Sequence, residues 1–133
     1  MHVIAVVDDG YGLMFNNRRQ SRDSELIRRI IDNLCGTKLY ISEYSQPLFQ
    51  EYDLSVIICK PTEVPDDAAY FMESPEILSN SKIETITLYH WNRIYPADVF
   101  FPKEILNGYK LDKITEFKGN SHDNITEEVW RKK

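Results

Sequence analysis

The run VIAVV at positions 3–7 constrains this chain more than any other stretch. It is short, continuous and rich in β-branched residues, the pattern of a strand covered on both faces. It stops at Asp8-Asp9-Gly10, a turn signal. After a polar, irregular stretch over 10–22, the segment SRDSELIRRIIDNLCG reads as a helix. Leu26, Ile27, Ile30, Ile31 and Leu34 make one apolar stripe along it. Ser21, Asp23 and Ser24 are candidate caps, and Gly36 is a C-terminal stop. A doubly covered strand followed by an amphipathic helix points to a parallel α/β layer structure.

The rest of the chain extends this pattern. TKLYIS (37–42), LSVIICK (54–60), AAYFME (68–73) and IETITLYHW (83–91) read as strands, and ADVFFP (97–102) follows them. Pro61 and Pro65 break the chain, and Pro75 opens a short helix. YKLDKITEF and ITEEVWR flank Gly119-Asn120 as a closing antiparallel hairpin. The expectation is one α/β domain over 1–133, with a mixed, mainly parallel twisted sheet, flanking helices and a C-terminal antiparallel hairpin.

Composition excludes several functions. A net charge of −5 argues against general affinity for nucleic acid or anionic membrane. No apolar run approaches the roughly 20 residues that span a bilayer. MHVIAVVDD is too short and too acidic for a signal peptide, so the expected location is cytoplasmic, with Cys35 and Cys59 as buried reduced thiols. His2, His90 and His122 lie far apart in sequence and suggest no metal site. Asp8-Asp9 and Asp66-Asp67 read as solvated turns.

Taken in order, the segments resemble dihydrofolate reductase over nearly the whole chain. IAVVDDGYGLMFN is similar to that family's first strand and mobile loop, and DSELIRRI to its first helix. GTKLYISEYSQPLF resembles the second strand and the start of the next helix, and AAYFMESPEIL the strand, paired glycines and helix. ADVFFP resembles an aspartate-to-Phe-Pro segment, and the tail resembles the closing hairpin. The stretch from Val56 to Glu73 is about half as long as its counterpart and lacks a strand and helix that support the cofactor's adenosine.

The resemblance implies an acid on the first helix. Asp23 is the candidate, with Ile27 on the same helix face; Ser24 is the alternative occupant, and a helix-capping role for Asp23 is the competing reading. Where the family closes an apolar segment over substrate, this chain has Arg18-Arg19-Gln20, and where it clamps the folate carboxylate with arginine, Asp53 stands. The family's phosphate-binding Gly-Arg and Thr correspond to Ser42-Glu43 and Ser45. Its paired glycines correspond to Glu73-Ser74, which with Glu76 read as a charged helix cap. Tyr89 falls where the family lines its pterin pocket, within an aromatic-rich set that otherwise reads as core.

The resemblance makes NADPH the family cofactor; the altered positions Glu43, Ser45, Glu73 and Ser74 imply that it is not held, and no cofactor is expected. The expectation is a small-ligand-binding or protein-interaction domain that has lost the family's reaction. Its ligand would be a small planar molecule, and uncovered sheet surface implies a homodimer. The alternatives are a nicotinamide- or flavin-dependent reductase of a pterin-like or other small planar substrate, with Asp23 as its acid, and a purely structural subunit of a homo-oligomer.

Overall fold

The structure, a computed structural model, describes residues 1–133. Its strands are β1 (His2–Val7), β2 (Gly12–Phe15), β3 (Arg18–Arg19), β4 (Leu39–Ile41), β5 (Val56–Ile58), β6 (Ala69–Phe71), β7 (Thr85–His90), β8 (Val99–Phe100), β9 (Tyr109–Phe117) and β10 (Ile125–Lys132). Two α-helices accompany them, α1 (Ser24–Leu34) and the four-residue α2 (Gln46–Phe49). Seven strands form one sheet in the order β5-β4-β6-β1-β7-β10-β9. The pairs from β5 to β7 are parallel, while β10 and β9 run antiparallel. This is the mixed, mainly parallel α/β sheet with a terminal hairpin that the sequence implies.

β1 is covered on both faces, as its unbroken apolar run requires. Val3, Ala5 and Val7 point into one core with Ile86, Leu88, Tyr70 and Met72. Ile4 points to the other side, where Leu26, Ile27, Ile30 and Leu34 of α1 pack with Phe71 and Trp91. Only that second face carries a substantial helix. The first is closed by loops and by 3-10 turns at Pro75–Ser79 and Lys103–Gly108. The sequence implies a short helix from Pro75, but the five residues there make a 3-10 turn ending at Asn80. Such short connectors favour the tighter geometry.

The stretch over 10–22 also differs from its irregular reading. β2 and β3 pair as a hairpin and β8 joins β2 in a small second sheet. Asn16 and Asn17 at its tip have φ of 53° and 62°. Two consecutive residues with positive φ suit a two-residue hairpin turn, and asparagine tolerates that conformation well. The helix ends one residue earlier than Gly36 suggests, with Cys35 itself left-handed at φ 51°. Cys35 is exposed and Cys59 half-buried, so neither is the fully buried thiol implied above.

Gly12 is held by close packing. A Cβ built there would stand 2.5 Å from Ala97 Cβ and 2.6 Å from Gln20 Nε2. Gly12→Ala should therefore cost about 1–3 kcal/mol of stability, the range for overpacking. Urea denaturation checks this, and an unchanged midpoint would contradict the packing described.

Candidate crevice at the carboxyl ends of the parallel strands

Open α/β sheets place ligand crevices beyond the carboxyl ends of their strands. Here β1, β6 and β7 end at Val7, Phe71 and His90. Beyond them lies a narrow inner chamber of about 30 Å³, walled by Val6, Leu13, Ile27, Leu48, Phe71 and Trp91. Arg19, Gln20, Ser21, Asp23 and Glu73 supply its polar rim. The space suffices for only a water or two. An outer groove of about 380 Å³ between the start of α1 and α2 shares Arg22, Asp23, Ile27 and Leu48 with the chamber.

Asp23 organises this region. It is the N-cap of α1, and its Oδ1 accepts from the backbone N–H groups of Glu25 and Leu26 at 2.9 and 3.3 Å. It also fastens the β9–β10 loop. Asn120 N–H donates to Oδ1 at 2.8 Å, and Ser121 and His122 N–H donate to Oδ2 at 2.8 and 3.2 Å. His122 Nδ1 lies 3.1 Å from the same oxygen. Gly119 permits this approach, because a Cβ there would fall 2.6 Å from Oδ2. Burial alone would raise the Asp23 pKa, but hydrogen bonds from Asn120, His122, Ser121 and Leu26 outweigh it and hold it at about 2.

His122, isolated in the sequence, is buried against this carboxylate. Its ring stacks on Trp91 at 4.3 Å between centroids, with 22° between planes. Nε2 lies 2.9 Å from Tyr95 Oη and 3.4 Å from Ser21 Oγ. A second buried carboxylate, Asp8, ties together the β1–β2 turn, Gln20 and Tyr95. It accepts from Gly10 and Gly12 N–H at 2.9 and 2.7 Å, from Gln20 Nε2 at 3.2 Å and from Tyr95 N–H at 3.0 Å. The sequence reading gave Asp8-Asp9 as a solvated turn; Asp8 is instead internal and bonded, while Asp9 is exposed.

Two of the positions that the resemblance matches to phosphate contacts, Ser45 and Glu73, meet directly, and Arg19 joins them. Arg19 forms a two-pronged bridge to Glu73, Nε to Oε2 at 2.8 Å and Nη2 to Oε1 at 2.9 Å. Buried Ser45 donates to Glu73 Oε1 at 2.8 Å, and the Arg19 guanidinium lies over the Tyr44 ring at 4.7 Å. Glu73 raises the Arg19 pKa through this hydrogen bond and its charge. Glu73 is thus a crosslink between hairpin and sheet, and the helix-cap reading does not hold for it. Ser74 takes the N-cap position of the following 3-10 turn without a side-chain capping bond. Glu43 is exposed and outside the crevice wall, and Asp53 is exposed outside the groove wall.

Ile27 lines both chamber and groove, but Tyr89 lines neither. Tyr89 lies on β7 one residue before its end at His90, on the same face as Trp91 but two residues further back. There it borders a separate cleft of about 810 Å³ with Arg29, Asn33 and Glu127. Its hydroxyl accepts from Asn33 Nδ2 at 3.2 Å, and burial raises its pKa strongly. Side chains two apart share a face and stand about 6.6 Å apart along it, so Trp91 occupies the crevice level. No three His, Cys, Asp or Glu side chains converge as a metal-ligand set. No protein-family model matches the chain, and no curated protein matches it in sequence.

Two measurements follow from these contacts. Asp23→Ala removes a cap worth about 1 kcal/mol and strands several buried donors, so it should destabilise by about 3 kcal/mol. Because the folded pKa is lowered from 3.8 to about 2, the ionised Asp23 contributes fully above pH 4 and loses its contribution as pH falls towards 2. The stability gap between wild type and Asp23→Ala should narrow over that window; a constant gap would contradict the assignment. For the hairpin crosslink, an Arg19→Met and Glu73→Gln double-mutant cycle should give about 1–3 kcal/mol of coupling. Additive effects would mean the bridge adds nothing.

Proposed function

We propose that this chain is a dihydrofolate-reductase-like domain that binds a small planar ligand in the outer groove of the crevice and does not carry out nicotinamide-dependent hydride transfer. The observation that carries this reading is the division of the crevice into two unlike halves. One half is the outer groove of about 380 Å³, where Ile27, Leu48, Pro47 and Tyr52 offer an apolar and aromatic seat for a flat ring, with Phe71 and Trp91 packed behind Ile27 and Leu48 around the inner chamber. The other half is closed by Arg19 and Ser45, both of which donate to the Glu73 carboxylate.

NADPH does not fit that closed half. A phosphate would have to displace the Glu73 carboxylate from Arg19 and Ser45, then remain beside it as a second anion. The alternative reductase reading needs Asp23 as a proton donor, and a carboxyl group held at about pKa 2 is ionised near neutrality. Self-association belongs to the same proposal. Edge strand β5 carries no charge, and its Ile58 is 43% exposed, whereas the opposite edge, β9, carries Lys110, Asp112, Lys113 and Glu116. A clean monomer in sedimentation at micromolar concentration would remove this part.

Trp130 lies on β10 outside the crevice wall, so Trp130→Phe leaves Trp91 as the single indole reporter. Pterin should change Trp91 emission saturably, NADPH should not, and a mixture of NADPH with dihydrofolate should show no NADPH oxidation. Micromolar NADPH binding with turnover would overturn the reading, and failure of pterin to bind would leave protein interaction as the role.

A further inference from the structure

The contacts of His122 reach beyond capping and loop fastening. An ionised carboxylate can only accept, so the imidazole proton sits on Nδ1, 3.1 Å from Asp23 Oδ2. The lone pair of Nε2 then faces two hydroxyls, Tyr95 Oη at 2.9 Å and Ser21 Oγ at 3.4 Å. The ring is fixed by Asp23 on one side and by Trp91 stacking on its face, and it is only 3% exposed. Ser21 is half-buried and lines the inner chamber. Its neighbour Arg22 lines both chamber and groove and joins none of the ion pairs.

We infer that Ser21, His122 and Asp23 form a nucleophile–base–carboxylate array that makes Ser21 acylable by small activated esters approaching its half-exposed side from solvent. The residue types and their order of contact are those that activate a serine on unrelated folds, where the array is recognised by geometry and not by sequence position. In the step, the Ser21 hydroxyl proton passes to His122 Nε2 as Oγ bonds to the ester carbonyl carbon. The proton then goes to the departing alcohol oxygen as the carbon–oxygen bond breaks. Water repeats the sequence, releasing the acid and restoring Ser21. Arg22, next to Ser21 in the chain and in none of the ion pairs, is the candidate positive charge for the developing oxyanion. Tyr95 is a competitor in this arrangement, since its hydroxyl is the nearer partner of Nε2.

The test is covalent capture with phenylmethanesulfonyl fluoride, read by intact mass and peptide mapping, alongside p-nitrophenyl acetate hydrolysis. The wild-type chain should gain one sulfonyl group on Ser21 with loss of fluoride, and Tyr95→Phe should label faster because Nε2 is released. Ser21→Ala should not label. His122→Gln, compared only at a temperature where its circular dichroism matches wild type, should label about 100-fold more slowly, the low end for a general base. No adduct on Ser21 in either wild type or Tyr95→Phe would overturn the inference, as would His122→Gln labelling at the wild-type rate. The array shares its crevice with the ligand-binding proposal but not its ligand. Pterin binding without labelling defeats the array alone, and labelling without pterin binding defeats the planar-ligand reading alone.

Discussion

The crevice depends on one buried carboxylate. Asp23 terminates α1 and, through Asn120, Ser121 and His122, holds the loop that joins β9 to β10. A helix end must satisfy its first N–H groups, and an anion satisfies them best. This chain uses the same anion to anchor a loop almost a hundred residues away in sequence, so local and long-range order share one interaction. The consequences reach Trp91, Tyr95 and Ser21, all of which touch the His122 ring that Asp23 orients.

A second carboxylate does comparable work on the far rim. Glu73, at the end of β6, satisfies Arg19 and Ser45 internally and pins the β2–β3 hairpin over the chamber. Negative charge where a resemblance to dihydrofolate reductase would put phosphate would ordinarily read as simple repulsion. Here the carboxylate already has the cation and hydroxyl that an incoming anion would need, and charge-assisted bonds of this kind are about twice as strong as neutral ones. Asp23 and Glu73 both stand on the wall of the inner chamber, and each ties a separate segment to it.

Much of this fold was legible in the sequence, and the reasons are local. The unbroken VIAVV run, the stripe from Leu26 to Leu34 and the alternating tail each obey one periodicity, and each forms the element it implies. Asn16-Asn17 was a legible hairpin signal that the polar composition around it obscured. The site was less legible because its contacts cross long sequence intervals. Asp23 was visible as a cap, but nothing local ties His122 to it, and their indices differ by 99. Arg19 reads as a surface cation until β6 brings Glu73 beside it. Alternation puts Tyr89 and Trp91 on one face of β7 but does not say that Trp91 lines the chamber while Tyr89 borders the separate cleft.

The central claim is that the outer groove accepts a flat ring over Ile27 and Leu48, in front of Trp91, while Glu73 holds the hairpin side shut. Amide and indole chemical-shift mapping of the labelled chain with pterin and then with NADPH tests it most directly. The account predicts that pterin perturbs Ile27, Leu48 and the Trp91 indole, while NADPH leaves Ser42–Ser45 and Glu73–Glu76 unmoved. Saturable NADPH shifts confined to those two segments, with Trp91 unaffected by pterin, would contradict it.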